Sequence, residues 1–298
     1  MSDTLVNLYA QQFKGNLQLL LQQRGSRLRA SVTEAGDYFG NASAPIDQIG
    51  SVEADAVTGR YQPIQGKDVP NDRRWVFPQD FDLPVFVDTF DKLRLVSDPT
   101  STYVQAVMAG MGRKIDDIII GGIFGVNKTG VSGATTVNFP AAQQISASLG
   151  ASSATGLNVA KLKKAIELLL AAEVDLDNDP LYCPITAKQN TDLLNEIQVI
   201  NGDYKSLGAT VVDGKIQSYS GINFLHSERL PVNGSNQRRV PLYVKSGVHL
   251  AVWADNTRVD ITQRKDLKGL PWQIYTYMTM DATRVEEKRI VEIPCAES

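Results

Sequence analysis

One stretch constrains the fold of this 298-residue chain more than any other: DTFDKLRLVSDPTSTYVQAVMAGMGRKIDDIIIGGIFG, residues 88–125. It joins an acidic lead-in to a sharp helix start and one long amphipathic helix. Asp98 has the short acceptor side chain that caps free backbone N–H groups, and Pro99 suits the first helical position, where no N–H is needed. Val104, Met108, Met111, Ile115 and Ile118 then recur at helical spacing and share one face, which Val107 and Ile119 widen. Gln105, Arg113, Asp116 and Asp117 fall off that face. Gly121, Gly122 and Gly125 follow, and their freedom to leave a helix predicts its end near residue 120. At ~1.5 Å per residue, residues 99–120 span roughly 33 Å, about the width of a small domain. Such a helix organises a fold and carries no chemistry of its own.

A chain this long buries a sizeable core, as one elongated domain or two lobes. Its 43% hydrophobic and 21% charged residues are ordinary for a globular protein. The formal net charge of -3 argues against a protein whose main task is to grip nucleic acid or an anionic membrane. Charge is unevenly spread, with Lys14, Arg24, Arg27 and Arg29 early and Glu34, Asp37, Asp47, Glu53 and Asp55 soon after. A solvated helix face is the plainer reading of that basic start, and contact with nucleic acid or an acidic partner the sharper one. Two cysteines, Cys183 and Cys295, are too few for a disulfide framework and too far apart for a metal knuckle, so a reducing compartment is expected. The first 25 residues lack the pattern of a secretory signal, and no window approaches the ~20 apolar residues of a membrane span.

Leu5, Leu8, Phe13, Leu17, Leu20 and Leu21 trace an amphipathic helix ending near Gly25. From residue 31 to 88 that period disappears, and Val52, Val57, Tyr61, Trp75, Val76 and Phe77 sit among turn formers such as Gly59, Pro63, Gly66 and Pro70. This reads as a long two-stranded excursion with its tip at residues 63–72. A ribbon of that kind buries no core alone and needs partners, on its own subunit or another. Residues 126–155 form a loose Gly/Ser/Thr/Ala connection with one short strand at 135–139. Asn158 caps a helix whose apolar face is Val159, Leu162, Ile166, Leu169 and Leu170 and whose wet face is Lys161, Lys163 and Lys164. Strands at 181–185, 221–225 and 240–253, with a short Thr186-capped helix between the first two, indicate a sheet with helices packed on it. Residues 259–293 are strand-rich.

Catalytic and metal patterns are missing. His226 and His249 stand alone at predicted strands, without H-x-x-x-H or H-E-x-x-H spacing, and read as structural. Asp175, Asp177 and Asp179 resemble the first half of a calcium loop, but Pro180 stands where its glycine belongs and Thr186 where its bidentate Glu belongs. An acidic helix-end loop fits better. GGIFGVNKTGVSG lacks the Lys-Ser/Thr of a P-loop, and Gly110 and Gly112 read as sites of close helix packing. The remaining candidates are charges suited to subunit contacts: Arg73 and Arg74 beside Trp75 near the ribbon tip, and Arg113, Asp116 and Asp117 on the outer edge of the long helix. No enzyme activity, cofactor or metal is expected.

The order of elements, arm, β excursion, spine-like helix, α/β lobe and closing strands, resembles the tailed-bacteriophage major capsid proteins of the HK97 fold. RRWVFPQDFDLPVFVDTFDKLRLVSDPTSTYVQAVMAGMGRKIDDIIIGGIFG carries the likeness through Asp91-Lys92, Asp98-Pro99, Ser101, Tyr103, Arg113, Asp116 and Gly125. LYVKSGVHLAVWADNTRVDITQRKD and ATRVEEKRIVEI resemble the group's last A-domain strand and its closing P-domain strands. The resemblance implies an α+β fold with an N-terminal arm at 1–45, an E-loop at 46–85, a P-domain at 86–154 built on a spine helix at about 99–120, an A-domain with a central sheet flanked by helices at 155–252, and a P-domain return at 253–298. It implies a coat protein whose pentamers and hexamers enclose double-stranded DNA without sequence specificity in an icosahedral head. Assembly in the bacterial cytoplasm, a separate scaffolding protein, a portal and a decoration protein belong to the same expectation. Two rivals remain: an encapsulin-type nanocompartment, which shares the fold, and a metal-binding protein or enzyme using Asp175, Asp177 and Asp179.

Overall fold

The computed structural model describes residues 22–35, 38, 44–57, 59–61, 64, 66–88, 100–200, 210–255 and 259–297. The expected N-terminal helix, Asp91-Lys92 and the Asp98-Pro99 helix start lie outside the described residues. Strands β1 (Thr33–Ala35), β2 (Ala44–Ile49), β3 (Asn71–Val76) and β4 (Asp80–Val87) precede the long helix α1 (Thr100–Phe124). Strands β5 (Asn127–Thr129) and β6 (Thr135–Val137), helix α2 (Val159–Ala171), strand β7 (Leu181–Ile185) and helices α3 (Ala187–Leu194) and α4 (Ile197–Ile200) follow. The rest is β: β8 (Thr210–Val212), β9 (Lys215–Tyr219), β10 (Ile222–His226), β11 (Gln237–Val244), β12 (Val248–Asp255), β13 (Asp260–Gln263), β14 (Trp272–Arg284) and β15 (Ile290–Ala296). Among the described residues no helix is long and apolar enough to cross a membrane.

The chain divides into two compact units. One comprises Met1–Ser26, Asp80–Lys114 and Ala254–Met278, the other Arg27–Gln79, Ile115–Trp253 and Thr279–Ser298. In the first, β13 pairs antiparallel with the start of β14, Ile261 opposite Ile274, and β4 also pairs with β14. Burial alternates along β4, as the two-residue period of a strand dictates. Val87, Val107 and Ile274 form the core there, ringed by Leu83, Val85, Val104 and Val259. Gly112 confirms the close packing expected of it, because a Cβ there would fall 2.5 Å from the Gly25 backbone.

The second unit holds a six-stranded sheet, β15-β11-β7-β10-β9-β8, and a four-stranded sheet, β2-β3-β5-β6. In the first of these β7 and β10 run parallel, Leu181 beside Ile222, while β11 and β15 run antiparallel, Val240 opposite Ile293. Helix α2 packs on β15, and α3 on β7 and β9. Leu162, Ala165 and Leu169 of α2 and Cys183, Ile222, Leu242 and Ile293 of the sheet are at most 1% exposed. Each fully buried aliphatic side chain of this kind contributes roughly 1.5–3 kcal/mol.

Caps appear where the sequence places them. Asn158 Oδ1 accepts from the Lys161 backbone N–H at 2.8 Å. Thr186 and Gln189 form a reciprocal capping box at the start of α3.

Four expectations need correction. Helix α1 continues through Gly121 and Gly122 to Phe124, and the Gly125 N–H returns to Gly121 O at 2.7 Å. Gly122 serves strand approach, since a Cβ there would lie 2.6 Å from the Ala282 backbone. Met108 is 36% exposed although it shares the apolar face, while neighbouring Val107 is 2% exposed. On α2, Leu170 points outward and Lys161 is fully buried, its Nζ donating to the carbonyls of Thr155, Gly156 and Pro294 at 2.7–3.0 Å. A buried ammonium is tolerated when several acceptors surround it. Finally, the connection after α1 contains two strands, β5 as well as β6, and β5 extends the ribbon sheet by pairing with β3.

Candidate subunit interface

Strands β2 and β3 pair antiparallel with Asp47 opposite Arg73 and Ile46 opposite Arg74. This register places Arg73 and Arg74 in the paired base of the ribbon, not at its tip, and the turn lies in residues 50–70. No strand occurs among the described residues of that turn. Because side chains alternate across a strand, β3 has two chemically distinct faces. Val76 and Arg74 point inward, 1% and 5% exposed. Arg74 Nη2 donates to Glu287 Oε2 at 2.6 Å, and Val76 packs with Ala251, Tyr38, Ile46 and Trp253.

Arg73 and Trp75 occupy the other face. Arg73 pairs with Asp47 and sits 5.6 Å from the Trp75 ring centroid. The Trp75 indole Nε1–H donates to Gly130 O at 2.5 Å, fixing the ring against the β5–β6 turn. That turn uses left-handed backbone at Gly130 (φ 77°), Ser132 (φ 57°) and Gly133 (φ 71°). Glycine is required at 133, where a Cβ would come within 2.9 Å of the Phe77 ring. Asp72 at the edge accepts from Thr129 Oγ1, and this bond holds its carboxyl below the usual range, so it stays charged. Asp47, Ile49, Asp72, Trp75 and Val131 wall an open cleft beside the ribbon base.

At the end of the paired base and beyond it the ribbon carries apolar side chains that its own chain leaves uncovered. Tyr61 and Ile64 are fully exposed, Val57 is 89% and Ile49 is 78% exposed, and Val52 and Val69 are also on the surface. So many large apolar groups along one excursion mark a contact surface. Of these, Val52, Val57 and Tyr61 read from the sequence as strand formers and Ile49, Ile64 and Val69 carry no expectation; the usable signal is apolar residues in a turn-rich segment too thin to bury them.

The charges on α1 behave differently from expectation. Asp116 is fully buried and accepts from the Arg27 and Leu28 backbone N–H groups at 3.0 and 3.1 Å. Asp117 makes two 2.5 Å contacts with Arg229, and Arg113 Nη1 donates to Gln22 Oε1 at 2.6 Å and Gln23 O at 3.2 Å. All three hold distant segments of their own chain, and the structure does not bring them together with Arg73, Arg74 and Trp75.

The acidic loop does not converge on a point. Asp175 accepts from Asp177 N, Asn178 N and Asn178 Nδ2, which lowers its pKa, whereas Asp179 turns to Ser246. Among the described residues no group of three potential ligands is placed to hold a metal. His249 Nε2 lies 3.0 Å from Tyr38 OH, and His226 lies 3.4 Å from Glu228; burial lowers the pKa of both.

A family model described as "Phage capsid protein" matches residues 5–297. No curated protein is similar enough to match. Among solved structures, the capsid of the cyanophage P-SCSP1u is 16% identical, with 98% of this chain and 94% of that chain covered at a TM-score of 0.74. The capsid of cyanophage Pam1 is 13% identical, with 98% of both chains covered at a TM-score of 0.71. The SrpI encapsulin of Synechococcus elongatus PCC 7942 is 9% identical, with 99% of this chain and 96% of that chain covered at a TM-score of 0.61. Likeness at such low identity establishes the fold, the HK97-like capsid fold.

Proposed function

The chain belongs to the phage capsid protein family, and on that premise we propose that this shell protein is the major capsid protein of a tailed bacteriophage, assembling as pentamers and hexamers into an icosahedral head around double-stranded DNA. The observation that carries the reading is the family match over residues 5–297, which spans every element of the fold. The apolar ribbon supports it. Covering Ile49, Val57, Tyr61 and Ile64 on a neighbour, at roughly 1.5–3 kcal/mol each, stabilises one contact by about 6–12 kcal/mol, and half-covered Val52 and Val69 add about half as much each, before association costs of about 4–15 kcal/mol. The surplus at one contact is small, and repetition around closed symmetry makes the shell stable. A net charge of -3 keeps such a subunit from collapsing onto the genome it encloses. Scaffolding, portal and decoration proteins are its expected partners, and the host cytoplasm its place of assembly.

The encapsulin likeness over 99% of the chain keeps a second reading, a nanocompartment around protein cargo. Particles isolated from the native source separate the two. Nuclease-protected double-stranded DNA inside the shell supports the capsid. A shell holding a co-purifying enzyme and no nucleic acid contradicts it.

A further inference from the structure

We propose that the buried guanidinium cluster behind strand β3, Arg74 with Arg284, holds one small inorganic anion of the chloride class. Local structure brings the two arginines together. Arg74 stands opposite Thr129 on the inward faces of β3 and β5, and Asn127, on the same inward face of β5, donates from Nδ2 to the Arg284 main-chain oxygen at 3.4 Å. Glu287, three residues beyond Arg284, accepts from Arg74 Nη2 at 2.6 Å. Arg74 is 5% and Arg284 0% exposed, so both charges lie out of solvent. Burial does most to lower the Arg284 pKa; Glu287 opposes that, and Arg74 and Arg239 add to it, which places all of them within electrostatic reach.

Bonding leaves donors in excess. The Arg284 Nη atoms are taken up by the carbonyls of residues 123, 125 and 137. Arg74 Nε, Arg74 Nη1 and Arg284 Nε are buried without a hydrogen-bond partner among the described residues, against one acceptor in the same condition, Glu287 Oε1. Native proteins pair their buried polar groups with protein, water or an ion. Charge selects the ion. Arg239 is matched by Glu292, with bonds of 2.6 and 2.7 Å, so the cluster proper sets two guanidiniums against the single carboxylate of Glu287. Asp72, which also feels Arg74, stays at the exposed edge and accepts from Thr129. One buried positive charge is left over, a costly state that a monovalent anion removes. Such an anion accepts from several N–H groups at once, and a water beside it donates to Glu287 Oε1. The bound anion thereby ties strand β3 to the end of β14.

The test is urea unfolding of unassembled full-length subunits in mixtures of sodium chloride and sodium gluconate at one ionic strength. Each tenfold rise in chloride above its dissociation constant should raise the folding equilibrium constant of the native chain about tenfold, because only the folded state assembles the cluster. The variant Arg74→Met/Glu287→Gln removes two of the three donors without orphaning a carboxylate and should lose this dependence. Native stability that does not change with chloride overturns the proposal and leaves the cluster to water alone. An equal response in the variant overturns it too, as a general effect of salt. A second measurement does not depend on the variant folding. Crystals of the native subunit grown in sodium bromide should show an anomalous-difference peak beside Arg74 Nε and Arg284 Nε, and a map without that peak removes the site.

Discussion

Arg284 of strand β14 donates from Nη1 to the carbonyl oxygen of Ile123 at 2.6 Å, closing the last turn of helix α1 from outside the helix. The same nitrogen reaches Gly125 O at 2.7 Å, and Nη2 reaches Val137 O at 3.2 Å. The guanidinium is fully buried and 5.4 Å from the Phe139 ring centroid; burial lowers its pKa to about 10, which leaves it charged at neutral pH. The final carbonyls of a helix have no partner within it and carry its negative dipole end, so a fixed cation there serves both needs.

Replacing Arg284 with Met therefore strands three carbonyls, that of Ile123 buried and those of Gly125 and Val137 partly buried. A loss of about 3 kcal/mol is expected, since charge-assisted bonds contribute roughly 1.5–3 kcal/mol and orphaned buried acceptors add a penalty. Urea unfolding of unassembled subunits, followed by circular dichroism, measures it. Unchanged stability would remove Arg284 as the closing group.

The glycines that follow Ile120 give a paired test. Gly122→Ala drives a Cβ to 2.6 Å from the Ala282 backbone and should destabilise by about 1–3 kcal/mol, because a well-packed core resists an added methyl. Gly121→Ala meets nothing within 4 Å on an exposed helix position and should stabilise by roughly 0.5–1 kcal/mol. Thermal melts of the two variants should move in opposite directions.

This pair also shows what was legible in the sequence. Local signals carried well: Asn158 and Thr186 cap the helices they were expected to cap, and the strands at 181–185 and 222–226 follow from β-rich runs between turns. Failures came where a residue type answers to a distant partner. Gly122 reads as a helix stop from its own sequence, but Ala282 dictates it. Lys161 belongs by periodicity to the wet edge of α2, but carbonyls at 155, 156 and 294 accept its ammonium in the core. Asp116 looks like an outward charge until the backbone of residues 27 and 28 turns toward it. Arg73 and Arg74 read from the sequence as a charge pair near the ribbon tip, but they lie in its paired base, where strand alternation sends one inward and one outward.

That alternation predicts unlike effects of like substitutions. Arg74→Glu puts a second carboxylate against Glu287 in a buried site and should cost the subunit about 3–5 kcal/mol. Arg73→Glu, at a pair whose side chains are 46% and 65% exposed, should change subunit stability by at most about 1 kcal/mol. Chemical denaturation of both variants before assembly is the measurement. Equal losses would contradict the assigned faces of β3.

Asp281 gives the pH dependence. Burial pushes its carboxyl up from an ordinary 3.8 to about 6, against the backbone N–H groups of Ala282 and Phe77 and the Lys128 ammonium. The folded state thus holds this proton more tightly than the unfolded chain. Its contribution is fully present below pH 3.8 and is lost as pH rises through about 6, a swing of roughly 3 kcal/mol. Asp281→Asn should remove that swing, so the stability of the variant relative to the native chain rises between pH 4 and pH 7. A difference independent of pH would show that Asp281 is not the titrating group.

Electron cryo-microscopy of the particles this chain forms tests whether it builds a closed shell through its exposed ribbon. Icosahedral shells in which residues 49–69 lie buried against a neighbouring copy are expected. A persistent monomer, or closed shells in which Tyr61 and Ile64 remain in solvent, would contradict it.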